Sequence, residues 1–249
     1  MSDTKKKRES FFATMSLGDH LEELRIRIIY ALIGLAAATI VGFYFGSAII
    51  KFVEQPYIDA MGPDARLQSL APTDGFVSYM KISIITGVVI SSPWIFYHLW
   101  MFVSAGLYPN ERKYIHIAVP FSTVLFIAGA LFFILAVAPL TLSFLVKFNE
   151  AVIGVSSNFT FKDYVSFITT LMLVFGFAFQ TPIAIYFLNK TGLVSIKALR
   201  SSRKYVLLAV FVVAAIVTPP DVISQVTLAV PLYMLFELGI IICSVAGRK

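Results

Sequence analysis

Long apolar runs separated by short polar loops dominate this 249-residue chain. A helix needs about 20 mostly apolar residues to cross a bilayer core roughly 30 Å thick. Six runs occupy residues 26–50, 76–103, 115–146, 164–188, 205–217 and 222–246. The fifth run is short, since its length as a helix is only about 20 Å. The pattern predicts an all-α integral membrane protein with six transmembrane helices. Alternatively, residues 205–246 form a shallow hairpin.

The composition supports a membrane protein and argues against several other classes. Charged residues make up 14% of the chain and hydrophobic residues 58%, whereas soluble domains have about 25% charged residues. The net charge of +6 lies in loops rather than in a continuous stripe, so we expect no nucleic-acid partner. One cysteine, Cys243, excludes an internal disulfide. No catalytic, metal-binding or phosphate-binding motif occurs, and we predict a non-enzymatic protein without a cofactor.

The basic residues predict the orientation of the chain in the membrane. With six spans, both termini share one side with the loops at 104–114 and 189–204. This side holds all of the 20 basic residues except Lys51, Arg66, Lys81, Lys147 and Lys162. The positive-inside rule then places both termini in the cytoplasm. We expect a disordered basic tail over residues 1–15 and a single membrane domain over residues 16–249.

Two carboxylates stand where the first span enters the membrane, at Glu22 and Glu23. This position normally collects Lys and Arg, so acidic residues here indicate a cationic partner. Glu23 also precedes Arg27 by four residues, which is the favoured order for an ion pair on one helix. Two surface ion pairs, Glu22–Arg25 and Glu23–Arg27, each worth under about 1 kcal/mol, are therefore the alternative.

Another carboxylate, Glu111, follows Asn110 in the predicted cytoplasmic loop between the second and third spans. It could serve as a helix start, because Asn is a common cap and an acid is favourable in the first turn. If Glu23 and Glu111 face one cytoplasmic groove, however, the groove would be a receptor for a basic peptide.

Three further polar features lie in or between the later spans. Gln180 lies deep in the fourth apolar run beside Pro182, and its amide should bond to another helix because lipid offers no partner. The double proline of residues 218–221 predicts a stiff turn between the fifth and sixth spans. Glu237 is the one acid well inside an apolar run, which makes it a functional candidate or a side chain that extends to the interface.

Four short motifs follow one another along the chain. They are His20-Leu21-x-Glu23-Leu24-Arg25, Leu107-Tyr108-x-x-Glu111-Arg112, Phe175-Gly176-x-x-Phe179-Gln180-x-Pro182 and Thr218-Pro219-Pro220-Asp221-x-x-Ser224-Gln225. Each motif is weak alone, but the four together extend over nearly the whole chain. In this order they resemble the TatC family, the multispanning receptor subunit of the twin-arginine protein translocase.

The resemblance implies a cupped arrangement of six helices, with the fifth and sixth short, in the bacterial cytoplasmic (inner) membrane. It implies binding of twin-arginine signal peptides and export of folded cargo driven by the proton-motive force. The partners would be single-span TatA- and TatB-type subunits, other copies of the chain and the lipid bilayer.

The resemblance also implies roles for individual residues. The implied signal-peptide contacts are Glu23, Glu111, Phe102 and Arg112. Gln180, Thr218 and Gln225 would form the intramembrane polar positions, of which Thr218 and Gln225 match the patch where a partner helix docks. The implied structural residues on the exofacial side are Pro56, Pro219, Pro220 and Asp221.

The chain departs from the family at Gln180, where a glutamate is frequent, so no proton relay through this side chain is required. Glu22 occupies the variable position of the first motif and is given no role. The rival hypothesis is a secondary transporter for a small cation that uses Glu237 and Gln180. A membrane enzyme ranks third, because no catalytic set is present.

Overall fold

The computed structural model describes residues 17–105, 115–155, 157–217 and 222–246. The described residues are almost entirely helical. The helices are α1 (Leu17–Tyr44), α2 (Gly46–Met61), α3 (Asp74–Ala105), α4 (Ile115–Phe132), α5 (Ala138–Phe148), α6 (Phe161–Ala178), α7 (Thr181–Lys190), α8 (Ile196–Ser201), α9 (Arg203–Val217) and α10 (Val222–Ala246).

Within the described ranges, five helical stretches are long and apolar enough to cross a membrane. They are His20–Tyr44, Asp74–Ser104, Ile117–Ile153, Phe161–Lys190 and Val222–Val245. The predicted fifth span corresponds to α9, which has 15 residues and therefore a length of about 22 Å. The all-helical prediction and five of the spans are confirmed, whereas six membrane crossings stay a prediction.

The predicted end of the first span, at residue 50, is wrong. The first helix ends at Tyr44, and α2 begins at Gly46 and continues to Met61. Phe45 between them has backbone angles outside the helical range, at φ −94° and ψ 7°. The Tyr79 hydroxyl donates a hydrogen bond of 2.5 Å to the Phe43 carbonyl. A tertiary contact thus satisfies a carbonyl that the ending helix leaves open, which apolar periodicity cannot show.

Helices α1 and α3 pack along most of their length. The Trp94 indole donates a hydrogen bond of 2.8 Å to the Tyr30 carbonyl across this contact. Two glycines allow the backbones to approach, because a Cβ on Gly42 would lie 2.6 Å from the Ser83 carbonyl oxygen and one on Gly87 would lie 2.9 Å from the Thr39 backbone. Close approach at small residues is the usual basis of helix association in membranes.

The third long stretch is one continuous helical rod with two π-helical segments, Phe133–Val137 and Asn149–Ile153. The first segment precedes α5 and contains side chains that are almost fully buried, such as Phe133 and Ile134. Phe133 packs against Phe175 of α6 with 5.3 Å between ring centroids. The main core therefore lies around the middle of this rod and α6.

The loops after α2 and before α6 meet at one end of the molecule. Gln68 accepts a hydrogen bond of 2.8 Å from the Phe161 amide and donates one of 3.2 Å to the Phe159 carbonyl. The buried Tyr164 hydroxyl donates to the Val53 carbonyl at 2.6 Å, joining α6 to α2. This end of the molecule is therefore fixed by backbone hydrogen bonds rather than by apolar contacts alone.

Candidate functional site

The sequence-predicted residues Glu23 and Phe102 lie at the paired ends of α1 and α3. The His20 ring stacks on the Phe102 ring with 4.5 Å between centroids and an angle of 27° between planes. Glu23 lies one helical turn beyond His20 on α1, so the close packing of α1 on α3 brings an acid, an imidazole and a phenyl ring into one cluster. The three side chains His20, Glu23 and Phe102 are called the α1–α3 cluster below.

Among the described residues, one side chain, that of Arg27, binds the Glu23 carboxylate. Arg27 Nε donates a hydrogen bond of 2.7 Å to Glu23 Oε1, and Arg27 Nη2 lies 2.7 Å from the same oxygen. Within the described residues the second oxygen, Oε2, has no hydrogen-bond partner. The predicted helical ion pair is thus confirmed, and it leaves half of the carboxylate available, with 26% of the side chain exposed to solvent.

This arrangement suits a guanidinium ligand. A carboxylate offers about four lone-pair positions, and a guanidinium donates through a planar fork. An aromatic ring beside the acid adds a face on which a guanidinium can stack. The α1–α3 cluster therefore has the chemical groups that recognise arginine, although Arg27 already occupies part of the carboxylate.

Several predicted site residues lie outside the described residues. These are Glu111, Arg112, Thr218, Pro219, Pro220 and Asp221. The predicted meeting of Glu23 with Glu111 therefore stays a prediction.

Gln180 forms the interhelical hydrogen bond that its burial in an apolar run predicts. It lies in the two-residue break between α6 and α7, and its amide nitrogen donates to the Ser122 carbonyl of α4 at 2.8 Å. Pro182 is buried in the first turn of α7, and the predicted kink corresponds to a two-residue turn, Phe179–Gln180, between α6 and α7. The identity of the acceptor, 58 residues earlier in the chain, is not readable from sequence.

Gln225 and Pro56 also have defined positions. The Gln225 amide donates a hydrogen bond of 2.9 Å to the Phe211 carbonyl and so links α10 to α9. Pro56 is buried inside α2, next to Tyr57, whose ring lies 5.5 Å from the Tyr164 ring. Gln225 therefore positions α9, while Pro56 is a buried residue of α2 beside the tyrosine that contacts α6.

Glu237 is paired rather than free in the membrane. Arg203 Nη2 lies 2.7 Å from Glu237 Oε2, and the Tyr233 hydroxyl donates to Glu237 Oε1 at 3.0 Å. Arg203 begins α9 and Glu237 lies in the second half of α10, so the pair fastens these two helices. Sequence reasoning missed Arg203 as the partner because 34 residues separate the two.

We expect the Glu237→Gln substitution to lower stability without abolishing peptide recognition. Loss of the carboxylate leaves Arg203 without its counter-charge and weakens the contact between α9 and α10, at a cost of about 1 kcal/mol for a partly exposed pair. Thermal unfolding in detergent measures the change. Tyr233→Phe is the matched control, because it removes one hydrogen bond and keeps the ion pair. An unchanged melting temperature in Glu237→Gln would contradict the fastening role.

Across the described part of the chain, no group of three His, Cys, Asp or Glu residues is placed to hold a metal ion. The fold defines a multispanning helical membrane protein, and the α1–α3 cluster gives it a partly exposed carboxylate beside a stacked ring pair. The model of the family described as "Sec-independent protein translocase protein (TatC)" matches residues 19–231. The chain belongs to the TatC family.

Individual relatives agree with the family model. The Sec-independent protein translocase protein TatC of Helicobacter pylori (strain 26695) is 39% identical over 93% of this chain and 88% of its own length. The TatC protein of Aquifex aeolicus (strain VF5) is 35% identical over 94% of this chain and 97% of its own.

A crystal structure described as the twin arginine translocase receptor TatC in DDM superposes with a TM-score of 0.83. It is 35% identical in sequence and covers 90% of this chain and 98% of its own. Family membership confirms the predicted non-enzymatic membrane component and does not support the rival small-cation transporter. The structure agrees with the family assignment at both residues of the rival hypothesis. Glu237 is ion-paired with Arg203, and Gln180 is hydrogen-bonded to the Ser122 carbonyl, so neither is free to bind a transported ion.

Proposed function

We propose that this chain is the receptor subunit of a twin-arginine translocase and binds twin-arginine signal peptides at the α1–α3 cluster. The observation that carries the proposal is the half-occupied Glu23 carboxylate beside the stacked His20 and Phe102 rings. An arginine of the peptide would take Glu23 Oε2 and stack on the adjacent ring. Lysine lacks the planar fork, so this geometry favours arginine over lysine.

The second arginine of the peptide needs its own carboxylate, and Glu111 is the candidate. It is expected on the same side of the membrane as Glu23, in the loop that follows α3, and Phe102 lies near the end of α3. Arg112 would border the same site. Two carboxylates separated by a fixed distance select paired arginines over a single one.

The remaining site residues support the assembly of the translocase. In this proposal Thr218 and Gln225 form the patch on α9 and α10 where the helix of a TatA- or TatB-type subunit docks. Gln180 supplies a polar position on the α6–α7 break. Pro56, with Pro219, Pro220 and Asp221, would shape the exofacial side. The assembled complex, with further copies of the chain, would export folded cargo using the proton-motive force.

The proposed topology has six crossings in the bacterial inner membrane and both termini in the cytoplasm. The distribution of basic residues supports it, because the loops around 104–114 and 189–204 are rich in Lys and Arg. Residues 16–249 then form one membrane domain that follows a short basic tail. A short α9 fits a locally thinned bilayer at the translocation site.

Site-specific photocrosslinking in inverted membranes tests the proposal. A photoreactive amino acid at positions 23, 102 and 111 is expected to crosslink a twin-arginine precursor and to lose the crosslink when both arginines are lysines. Position 70 is the control, because Leu70 is 74% exposed in the loop between α2 and α3 and is expected on the opposite side. Equal crosslinking of both precursors, or crosslinking from position 70 alone, would contradict the proposed receptor site.

A further inference from the structure

A groove of about 690 Å³ lies between α3, α6, α9 and α10. Most of its lining is apolar, with Val174 and Phe177 from α6 and Val210 and Val213 from α9. The Lys81 side chain from α3 joins this lining. A basic group among apolar walls is the pattern of a site for an amphiphilic anion.

Lys81 has an unusual position for a lysine. It lies seven residues into α3, about 10 Å along the helix from Asp74, and its side chain is half-buried. Its ammonium group donates a hydrogen bond of 2.8 Å to the Ser166 hydroxyl of α6. Among the residues that the structure describes, no carboxylate forms an ion pair with Lys81. A partly buried charge among apolar walls is costly unless it is paired, so an anion should complete the site.

Hydroxyl groups stand beside the ammonium group. Ser166 and Thr170 are four residues apart on α6 and therefore share one face of the helix. Thr170 is exposed and lines the groove. An ammonium group with neighbouring hydroxyls offers charge-assisted hydrogen bonds to a phosphate. Val174 and Phe177 continue the same face of α6 away from this polar end.

The size of the groove fits one lipid chain. The α6 segment from Ser166 to Phe177 extends about 16 Å, which matches an extended acyl chain. A volume between about 300 and 1,000 Å³ is typical of a site for one small molecule. The groove, at about 690 Å³, lies within this range.

We propose that this groove binds one anionic phospholipid, with the phosphate on Lys81 and the Ser166–Thr170 hydroxyls and an acyl chain against Val174, Phe177 and Val210. The lipid supplies the counter-charge that Lys81 lacks. It also fills the space between α6 and the short α9, beside Leu232 and Phe236 of α10. The inference does not depend on peptide recognition at the α1–α3 cluster.

Native mass spectrometry of the purified chain in detergent tests the charge requirement. The probes are dioleoyl phosphatidylglycerol and the zwitterionic dioleoyl phosphatidylcholine, titrated separately. We expect one phosphatidylglycerol to be retained in preference to phosphatidylcholine, and Lys81→Gln to weaken that retention about tenfold. Lys81→Arg should keep it. Lys162→Gln is the matched control, because Lys162 is an exposed basic residue near the same end, 3.9 Å from Asp74.

A second variant tests the apolar half of the site while leaving Lys81 intact. Val174→Trp should fill the groove and remove phosphatidylglycerol retention, with circular dichroism confirming that the helices persist. Glycerol 3-phosphate, which has no acyl chain, should not compete. Equal retention of the two lipids by the natural chain, or retention unchanged by Lys81→Gln, would overturn the proposal. Competition by glycerol 3-phosphate would also overturn it. So would binding of a carboxylate-bearing transmembrane peptide in the groove without displacement of phosphatidylglycerol.

Discussion

Replacing Glu23 with Gln will weaken binding of a twin-arginine signal peptide about tenfold or more. The substitution removes the charge that receives the guanidinium but keeps the size of the side chain, and charge-assisted bonds of this kind contribute about 1.5–3 kcal/mol. The fold should persist, because the Glu23–Arg27 pair is partly exposed and such pairs add under about 1 kcal/mol. Peptide titration of the purified chain, followed by fluorescence anisotropy, measures the change.

Glu22 offers a matched control for this experiment. It is an adjacent acid on the same helix, is exposed and forms no ion pair within the described residues. Glu22→Gln removes the same charge from the same region, so it should change peptide affinity by less than about twofold if only general attraction is lost. Glu111→Gln should resemble Glu23→Gln. Equal weakening by the Glu22 and Glu23 variants would show that local charge, rather than a defined contact, binds the peptide.

The sequence was sufficient to predict elements that depend on composition and local pattern. Five of the predicted apolar runs correspond to helices of membrane-spanning length. A chain that crosses a bilayer must satisfy its backbone hydrogen bonds internally, and a helix does so. The spacing of Glu23 and Arg27 correctly predicted their ion pair. Gln180 correctly indicated an interhelical hydrogen bond, because a buried amide in an apolar run needs a protein partner.

The features that sequence reasoning missed depend on contacts between distant segments. The break at Phe45 lies inside an unbroken apolar run, and the Tyr79 bond to the Phe43 carbonyl accompanies it. In the sequence, Arg203 resembles any other basic loop residue. Its ion pair with Glu237 is apparent only when α9 and α10 lie side by side. Lys81 reads as an isolated charge, and only the packing of α3 near α6 shows that it lines a groove. Local periodicity carries no information about such pairings.

The α1–α3 contact determines where the recognition residues lie. His20 and Glu23 belong to α1 and Phe102 belongs to α3, so their cluster exists only while the two helices are aligned. Hydrogen bonds from Trp94 and Tyr79 to carbonyls of α1 hold the alignment at two further levels. Because lipid provides little hydrophobic driving force for association, close backbone approach must contribute much of the remaining stability.

Gly42 is the position where this close approach is most easily tested. A Cβ there would lie 2.6 Å from the Ser83 carbonyl oxygen and 3.4 Å from the Ser83 Cα. These are backbone atoms of α3 and cannot rotate away, so even Gly42→Ala must move the two helices apart. We expect a loss of about 1–3 kcal/mol from overpacking, despite the better helix propensity of alanine. The melting temperature in detergent should fall by about 2–12 °C.

Gly75 separates this packing effect from helix propensity. It lies in the first turn of α3, and a Cβ there would have no heavy atom within 4 Å. Gly75→Ala should therefore leave the melting temperature unchanged or slightly higher, since alanine favours the helix. If both variants are stabilised, α1 and α3 do not rely on backbone approach at Gly42. If only Gly42→Ala is destabilised, the close approach of the two backbones is required. This variant should then also bind the peptide more weakly, because α1 carries Glu23 and His20.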